Sequence, residues 1–413
     1  MSPISIAPSL PNQWREVRFR FIAATSKGRL PAKEDEDVVA KDVIPYLSME
    51  YLRGDTEASQ YVRAQGMVTA DEHDVLLLWD GSNAGEFLRA KRGAVSSTAA
   101  IVTPLEFDRT FLFWLCKAAE PILKTFTNGM GIPHVDGEFL KNLKLPYPID
   151  DAEQSRIANY LDRETARIDG LIAEKERMLA LLEEKRNALI SRVVTRGLDP
   201  NVPLKPSGQE WLDDIPAHWR VERAKNLLTV RDERSDDGSE ELLTVSHITG
   251  VTSRSEKDVN MFEADDKAGY KRCMPGDLAI NTLWAWMGAM GISPLAGIVS
   301  PDYHVYTSNG ELLPEYVDLL CRSRPFVAEV SRWSKGVWSS RLRLYPENFF
   351  EMRLPVPPHD EQAAIVRAVK LDQRKANELR ESLQLSITLA NERRAALITA
   401  AVTGQIPLQE MTR

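Results

Sequence analysis

Cysteine, basic excess and long apolar runs are all scarce in this 413-residue chain. Its three cysteines, Cys116, Cys273 and Cys321, stand alone, so neither a CxxC metal site nor a disulfide framework is available, and a reducing compartment suits them. Apolar runs such as Val75 to Trp79 fall far short of the ~20 residues of a spanning helix. Met1 to Trp14 lacks the basic flank and apolar stretch of a secretion signal, so a cytoplasmic protein away from any membrane is expected. A formal charge of −8 argues against a non-specific polyelectrolyte binder; any anion-binding face must be a local patch.

Catalytic signatures are missing as well. There is no phosphate loop of the Gly-x-x-x-x-Gly-Lys-Ser/Thr type, no Gly-x-Gly-x-x-Gly, no His-Glu-x-x-His and no Gly-x-Ser-x-Gly. The Asn/Asp-Pro-Pro-Tyr/Phe tetrapeptide that holds an exocyclic amine for methyl transfer is absent. The six histidines are scattered singly, which favours loop or core placement over metal ligation. The sequence therefore offers no catalytic residue, no metal site and no cofactor site in this chain.

What is present is a repeat. Leu145-Pro146-Tyr147-Pro148 recurs as Leu354-Pro355-Val356-Pro357, an offset of 209 residues, and Glu153-Gln154 and Ile157 recur as Glu361-Gln362 and Ile365, an offset of 208. Leu189-Ile190 and Val194-Thr195 recur as Leu397-Ile398 and Val402-Thr403 at the same offset. Leu10-Pro11 with Trp14 opens one half, and Ile215-Pro216 with Trp219 opens the other. The chain reads as two copies of one unit, a globular stretch followed by a long helix.

Periodicity carries the helices. Steps of three and four residues give the apolar seam Leu161, Ile168, Ile172, Leu179, Leu182, Leu189 and Val193, interrupted by Thr165, Lys175 and Arg186. The second copy gives Val369, Ala376, Leu383, Ile387, Ala390, Leu397 and Ala401, interrupted by Gln373, Arg380 and Arg394. Pro148 and Pro358 precede the starts, and Gly197 and Gly404 stand at the ends, as helix stop chemistry requires. Each rod spans roughly 65 Å at 1.5 Å per residue. A rod of that length cannot leave its stripe in water, so the economical arrangement packs one against the other. If they run antiparallel, the globular units lie at opposite ends and the rods act as a spacer. Arg186 and Arg394 are then candidates for fixing register, against the alternative of surface arginines that snorkel. A coiled-coil scaffold or adaptor with no nucleic-acid role accounts for the same heptads.

Between short apolar strands lie polar loops rich in Gly, Ser, Trp and Arg. Arg332 to Tyr345 carries four cations and two tryptophans with no acid, the make-up of a groove-reading loop, or else of a strand with Trp inward and Arg outward. Phe126 to His134 occupies the corresponding place in the first half, and Lys91-Arg92-Gly93 forms a basic turn; either can be a plain hairpin.

Two variable units, each opened by Leu/Ile-Pro-x-x-Trp and closed by Leu-Pro-x-Pro, Glu-Gln and a helix ending in Val-Thr, resemble the specificity subunit of type I restriction-modification enzymes. Lys205-Pro206-Ser207-Gly208 with Trp211-Leu212, Trp79 to Glu86, Trp284 to Gly288 and Gly297 to Pro301 are similar to that family too. The two copies end differently, as Val194-Thr195-Arg196-Gly197 in the first and as Val402-Thr403-Gly404, one residue shorter, in the second.

The resemblance implies an α+β chain with two pseudo-repeated α/β target recognition domains separated by two long helices packed as an antiparallel coiled coil. The domains are then 1–148 and 199–358, the helices 149–198 and 359–405, with 406–413 a tail. It further implies that each domain reads one half of a split sequence in double-stranded DNA, while the helices set the gap and dock two modification subunits, and restriction subunits through them. ATP, S-adenosylmethionine and Mg²⁺ would serve those partners, and this chain would catalyse nothing. The DNA-binding residues expected on this reading are Lys91, Arg92, Asn128, Gly129 and His134 in the first domain, and Lys335, Trp338, Ser339, Ser340, Arg341 and Arg343 in the second.

Overall fold

A computed structural model describes residues 4–7, 9–31, 43–54, 57–105, 107–129, 131–257, 266–336 and 342–412. The chain folds into two compact units, residues 1–175 with 384–413, and residues 176–383.

In the first unit, β1 (Trp14–Arg18), β2 (Ala23–Lys27), β3 (Val43–Leu47), α1 (Met49–Arg53), β4 (Tyr61–Arg63), β5 (Thr69–Ala70) and β6 (Val75–Leu78) come first. They are followed by β7 (Phe87–Arg89), β8 (Gly93–Val95), β9 (Ala99–Pro104), α2 (Arg109–Thr125), α3 (Gly137–Asn142) and β10 (Lys144–Pro148), and then by the long helix α4 (Asp151–Arg196). One sheet has the order β2-β9-β6-β7, a second β4-β3-β8-β5, and β10 returns antiparallel to β1. All four residues of β6 are buried because its two faces meet different cores. Val75 and Leu77 pack with α2, while Leu76 and Leu78 pack with Leu47 and Val95, the period-two alternation of a strand covered on both sides.

The second unit repeats this plan. It contains β11 (Leu204–Pro206), β12 (Asp214–Pro216), β13 (Arg220–Arg223), α5 (Ala224–Leu227), β14 (Leu228–Val230), β15 (Leu243–Ser246), β16 (Gly250–Ser253) and β17 (Lys271–Cys273). Then come β18 (Leu278–Asn281), β19 (Met290–Ile292), β20 (Gly297–Val299), β21 (Tyr303–Ser308), α6 (Pro314–Arg322), α7 (Arg324–Trp333), α8 (Pro346–Glu351), β22 (Arg353–Val356) and the long helix α9 (His359–Val402). The order β14-β21-β18-β19 matches β2-β9-β6-β7, and β13 pairs with β22 as β1 does with β10.

The two long helices are not units of their own, which differs from the division drawn from the sequence. Each unit takes part of both, because the helix ends carry core residues of the globular parts. Ile157, Ala158 and Leu161 of α4 share the first unit's core with Ile398, Ala401 and Val402 of α9. Ile190, Val193 and Val194 share the second unit's core with Ile365, Val366 and Val369. Within each unit the two segments therefore run in opposite senses.

Along the seam, Leu161, Ile168, Val193, Val369 and Leu383 are buried, and Ile172, Leu179, Leu182, Leu189, Ala376, Ile387 and Leu397 are half-buried. Arg394 crosses from α9 to Asp169 at 2.8 Å. Arg186 does not cross; it turns to Glu183 of its own helix at 3.3 Å. The reason is local: at the 208-residue offset, the position matching Asp169 is Asn377, which offers no carboxylate. In the second unit the helices are joined by Arg380 with Glu183 and by Lys185 with Asp372 at 3.8 Å.

The repeated sequence elements turn out to be joints. Gly197 and Gly404 end their helices in the left-handed region, at φ +71° and +72°. A Cβ on Gly197 would lie 3.3 Å from Trp219, and one on Gly404 would lie 2.5 Å from Pro11 and 3.2 Å from Trp14. The Leu/Ile-Pro-x-x-Trp element is thus the seat of the helix end in both units. Glu361 accepts hydrogen bonds from Trp219 Nε1 at 2.9 Å and His218 Nε2 at 2.7 Å. Gln362, fully buried, donates to the Pro357 and Glu311 carbonyls at 2.9 Å each and accepts from the Leu313 N–H at 2.7 Å.

Candidate nucleic-acid interface

At one end of the first unit's main sheet, three loops are tied together. Asn128 and His134 exchange backbone hydrogen bonds of 2.9 and 2.7 Å, closing a tight loop between α2 and α3. Gly129 sits at φ +122° with Ile132 O only 2.3 Å from where a Cβ would stand, so the loop needs glycine there. The loop is fastened to the turn after β6, with Gly81 N–H donating to Pro133 O at 3.0 Å and Val135 N–H to Trp79 O at 2.9 Å. That turn is fastened in turn to the segment before β9, through Trp79 and Asp80 N–H to Thr98 O at 2.8 and 3.1 Å.

Side chains continue the same connection. Asp80 accepts from His134 Nδ1 at 2.6 Å and pairs with Lys27, at the end of β2, at 2.7 Å. Burial works to raise the Asp80 carboxyl, but hydrogen bonds and charge from Lys27 and His134 outweigh it, and the group lies below its ordinary value. Asn128 Nδ2 reaches Asp136 at 3.2 Å. Asn128, Gly129 and His134 are therefore brought together, joined by Lys27 and Asp80, which sequence reasoning missed. Only the strand pairing, in which Leu78 lies opposite Ala99 and Lys27 opposite Ala100, gathers them at one end of the sheet.

Lys91 and Arg92 are not part of this group. Arg89 pairs with Val75 at the far end of β6, so the turn that follows it leaves from the other end of the sheet. Lys91 donates to Tyr51 O and sits 4.4 Å over the Tyr51 ring. Arg92 is exposed, 4.0 Å from Asp71.

The second unit builds the same platform with other side chains. Lys335 and Arg343 exchange backbone hydrogen bonds of 2.9 Å each. Leu344 N–H donates to Thr282 O at 3.1 Å, tying the loop to the turn after β18, and Thr282 Oγ1 donates to Asp302 O at 2.7 Å, tying in the segment before β21. Arg343 Nη1 is 3.7 Å from Asp302. Trp338, Ser339, Ser340 and Arg341 lie outside the described residues. In the turn after β18, the place that Gly81 holds in the first unit is taken by Trp284, which is 48% exposed.

Other chemistry is sparse. The three cysteines are free and buried, and burial pushes their thiols up, Cys273 to about 11. Among the described residues no group of three or more His, Cys, Asp or Glu side chains could hold a metal ion, and no helix is long and apolar enough to cross a membrane.

Residues 11–178 match the family described as type I restriction modification DNA specificity domain. Over these residues the chain is similar to the DNA specificity subunits of type I restriction-modification enzymes. It is 34% identical to the specificity subunit of the type I restriction enzyme MjaVIII of Methanocaldococcus jannaschii over 226 residues, 54% of this chain and 51% of that one. The chain thus spans about half the length of that relative. It is also similar, at 20% identity, to the EcoDI specificity subunit of Escherichia coli, over 98% of this chain and 91% of the other. A chain from a structure of complex assembly and conformational transition in the type I R-M system superposes with a TM-score of 0.68 at 16% identity. That alignment covers 96% of this chain and all of the other, a likeness of fold.

Proposed function

We propose that this chain is the DNA-reading subunit of a type I restriction-modification assembly, each unit reading one half of a split target in double-stranded DNA. One observation carries the reading: the same three-loop platform is built twice on the same strand order, with unlike side chains at its tips. Two unlike half-sites call for such an arrangement, since base edges differ in donors, acceptors and methyl groups. A scaffold would use the paired helices but has no need of a duplicated platform.

On this reading the helices set the gap between half-sites and dock two modification subunits, through which restriction subunits attach. ATP, S-adenosylmethionine and Mg²⁺ act on those partners, and this chain contributes specificity without a catalytic step. Its net charge of −8 fits a subunit that supplies base contacts while basic partners supply much of the phosphate attraction. The test is genome-wide mapping of methylated adenines in cells holding the modification partner, with and without this chain. A single bipartite motif that appears only with the chain is the expected result; an unchanged pattern refutes the proposal.

A further inference from the structure

The turn after β18 carries more than the proposed platform requires. Trp284 is 48% exposed, yet its backbone is locked: its N–H donates to Asn281 O at 3.0 Å, and its carbonyl accepts from Met287 and Ala289 N–H at 3.0 and 3.1 Å. Trp286 lies alongside it, ring centroids 6.2 Å apart and planes 22° from parallel. The Trp286 indole is itself anchored through Nε1 to Leu283 O at 3.0 Å. The turn is seated on α7, with Ala285 fully buried and Val327 against Gly288. One indole is therefore held rigid, backed by another, with a free apolar surface beside the loop that carries Lys335 and Arg343. Leaving nearly half of a tryptophan in water forgoes hydrophobic burial, which makes a preformed contact surface a better account than packing.

We infer that Trp284 is the apolar reading element of the second unit, an indole wedge that presses into a base step of its half-site and takes an unstacked base face against it. Rigid apolar side chains beside cations act in this way on duplex DNA, and stacking rewards any step that opens readily. In the first unit Gly81 stands at the place of Trp284, next to the charged Lys27, Asp80 and His134 group, so the wedge acts on one half of the target only. This inference rests on the DNA-reading proposal above.

The experiment uses the full chain assembled with its modification partner, on duplexes carrying the motif found by methylation mapping and on random duplex. Trp284→Ala is expected to weaken motif binding on the order of tenfold to a hundredfold, the loss typical of one stacked base, and to leave random duplex within about twofold. Trp284→Phe restores most of the binding. 2-Aminopurine placed at successive steps brightens at one step with the native complex and not with Trp284→Ala. Methylation by Trp284→Ala relaxes in one half of the motif only, the half that changes when residues 199–358 are exchanged for those of a subunit of other specificity. Unchanged affinity and motif for Trp284→Ala, equal loss on random duplex, or relaxation in both halves or in the half read by the first unit each overturn the wedge while leaving the DNA-reading proposal standing. No sequence preference in the native complex overturns both. Thermal melting of each variant, expected to match the native chain, guards against misfolding, with Trp284→Phe as the conservative check.

Discussion

Gln362 and Gln154 occupy matching places in the repeat, and their surroundings predict very different costs for the same substitution. Gln362 satisfies three buried backbone groups, the Pro357 and Glu311 carbonyls at 2.9 Å each and the Leu313 N–H at 2.7 Å. Methionine at 362 keeps the volume and removes every one of those partners. At about 1 to 3 kcal/mol for each orphaned group, allowing for relaxation of the two carbonyls, the loss is roughly 3 to 5 kcal/mol. Gln154 makes only two long contacts, to Pro148 O at 3.2 Å and Asp151 Oδ1 at 3.3 Å, while its own Oε1 is buried without a partner. Gln154→Met removes that orphan along with the contacts, so about 1 kcal/mol or less is expected. The chain has two units, so one denaturation midpoint does not define one free energy. The measurement is native-state hydrogen exchange in the unit that holds each residue: across α6 Gln362→Met should lower protection by more than a hundredfold, and across α2 Gln154→Met should lower it by less than tenfold. Equal effects from the two substitutions would refute the claim that hydrogen-bond count, rather than burial, sets the cost.

Three further outcomes are expected. Gly404→Ala should cost about 1 to 2 kcal/mol more than Gly208→Ala, because both sit near φ +71° but only the former meets Pro11 and Trp14; urea melts of the two variants check this. Burial, and then Lys271 nearby, push His304 down to about 4, so between pH 6.5 and 4 the unfolded chain binds a proton that the folded chain refuses. Stability must then fall on acidification across that window, and His304→Gln should flatten that part of the curve in melts at several pH values. Arg343→Ala should lose about 1 to 3 kcal/mol on the recognised motif and relax one base pair if the guanidinium reads a base, or weaken all sequences alike if it holds a phosphate; competition binding in the assembled complex distinguishes the two.

The fold was legible where it repeats. Duplicate elements, 208 residues apart in the long helices and 209 in the closing strands, marked both, because a helix stripe and a proline-bounded strand are local patterns. Arg186 shows the limit of that reasoning: its copy Arg394 crosses to Asp169, but the partner position has become Asn377, so equivalence in one residue did not carry equivalence in the pair. The division of the chain was not legible either. The apolar residues near the helix ends, Ile190 and Val193 in one case and Ile398 and Ala401 in the other, read as continuations of a coiled-coil seam. In three dimensions they are core residues of the globular units.

The candidate site was legible only in its most local part, for a physical reason. Asn128, Gly129 and His134 fall within seven residues and declare a turn through the glycine, so a sequence reading can group them. Lys91 and Arg92 were grouped with them by charge alone, and strand register separates the two sets, because an antiparallel hairpin returns the residues after β7 to the opposite end of β6. The same register that removes Lys91 and Arg92 supplies Lys27 and Asp80, and in the second unit supplies Trp284. Charge composition finds residues suited to phosphate, but a platform that distinguishes bases is defined by which strand ends lie side by side. The side chains of greatest interest are then those whose place only the strand register reveals: an aspartate that follows the buried β6, and a tryptophan in a loop whose neighbours the sequence does not show.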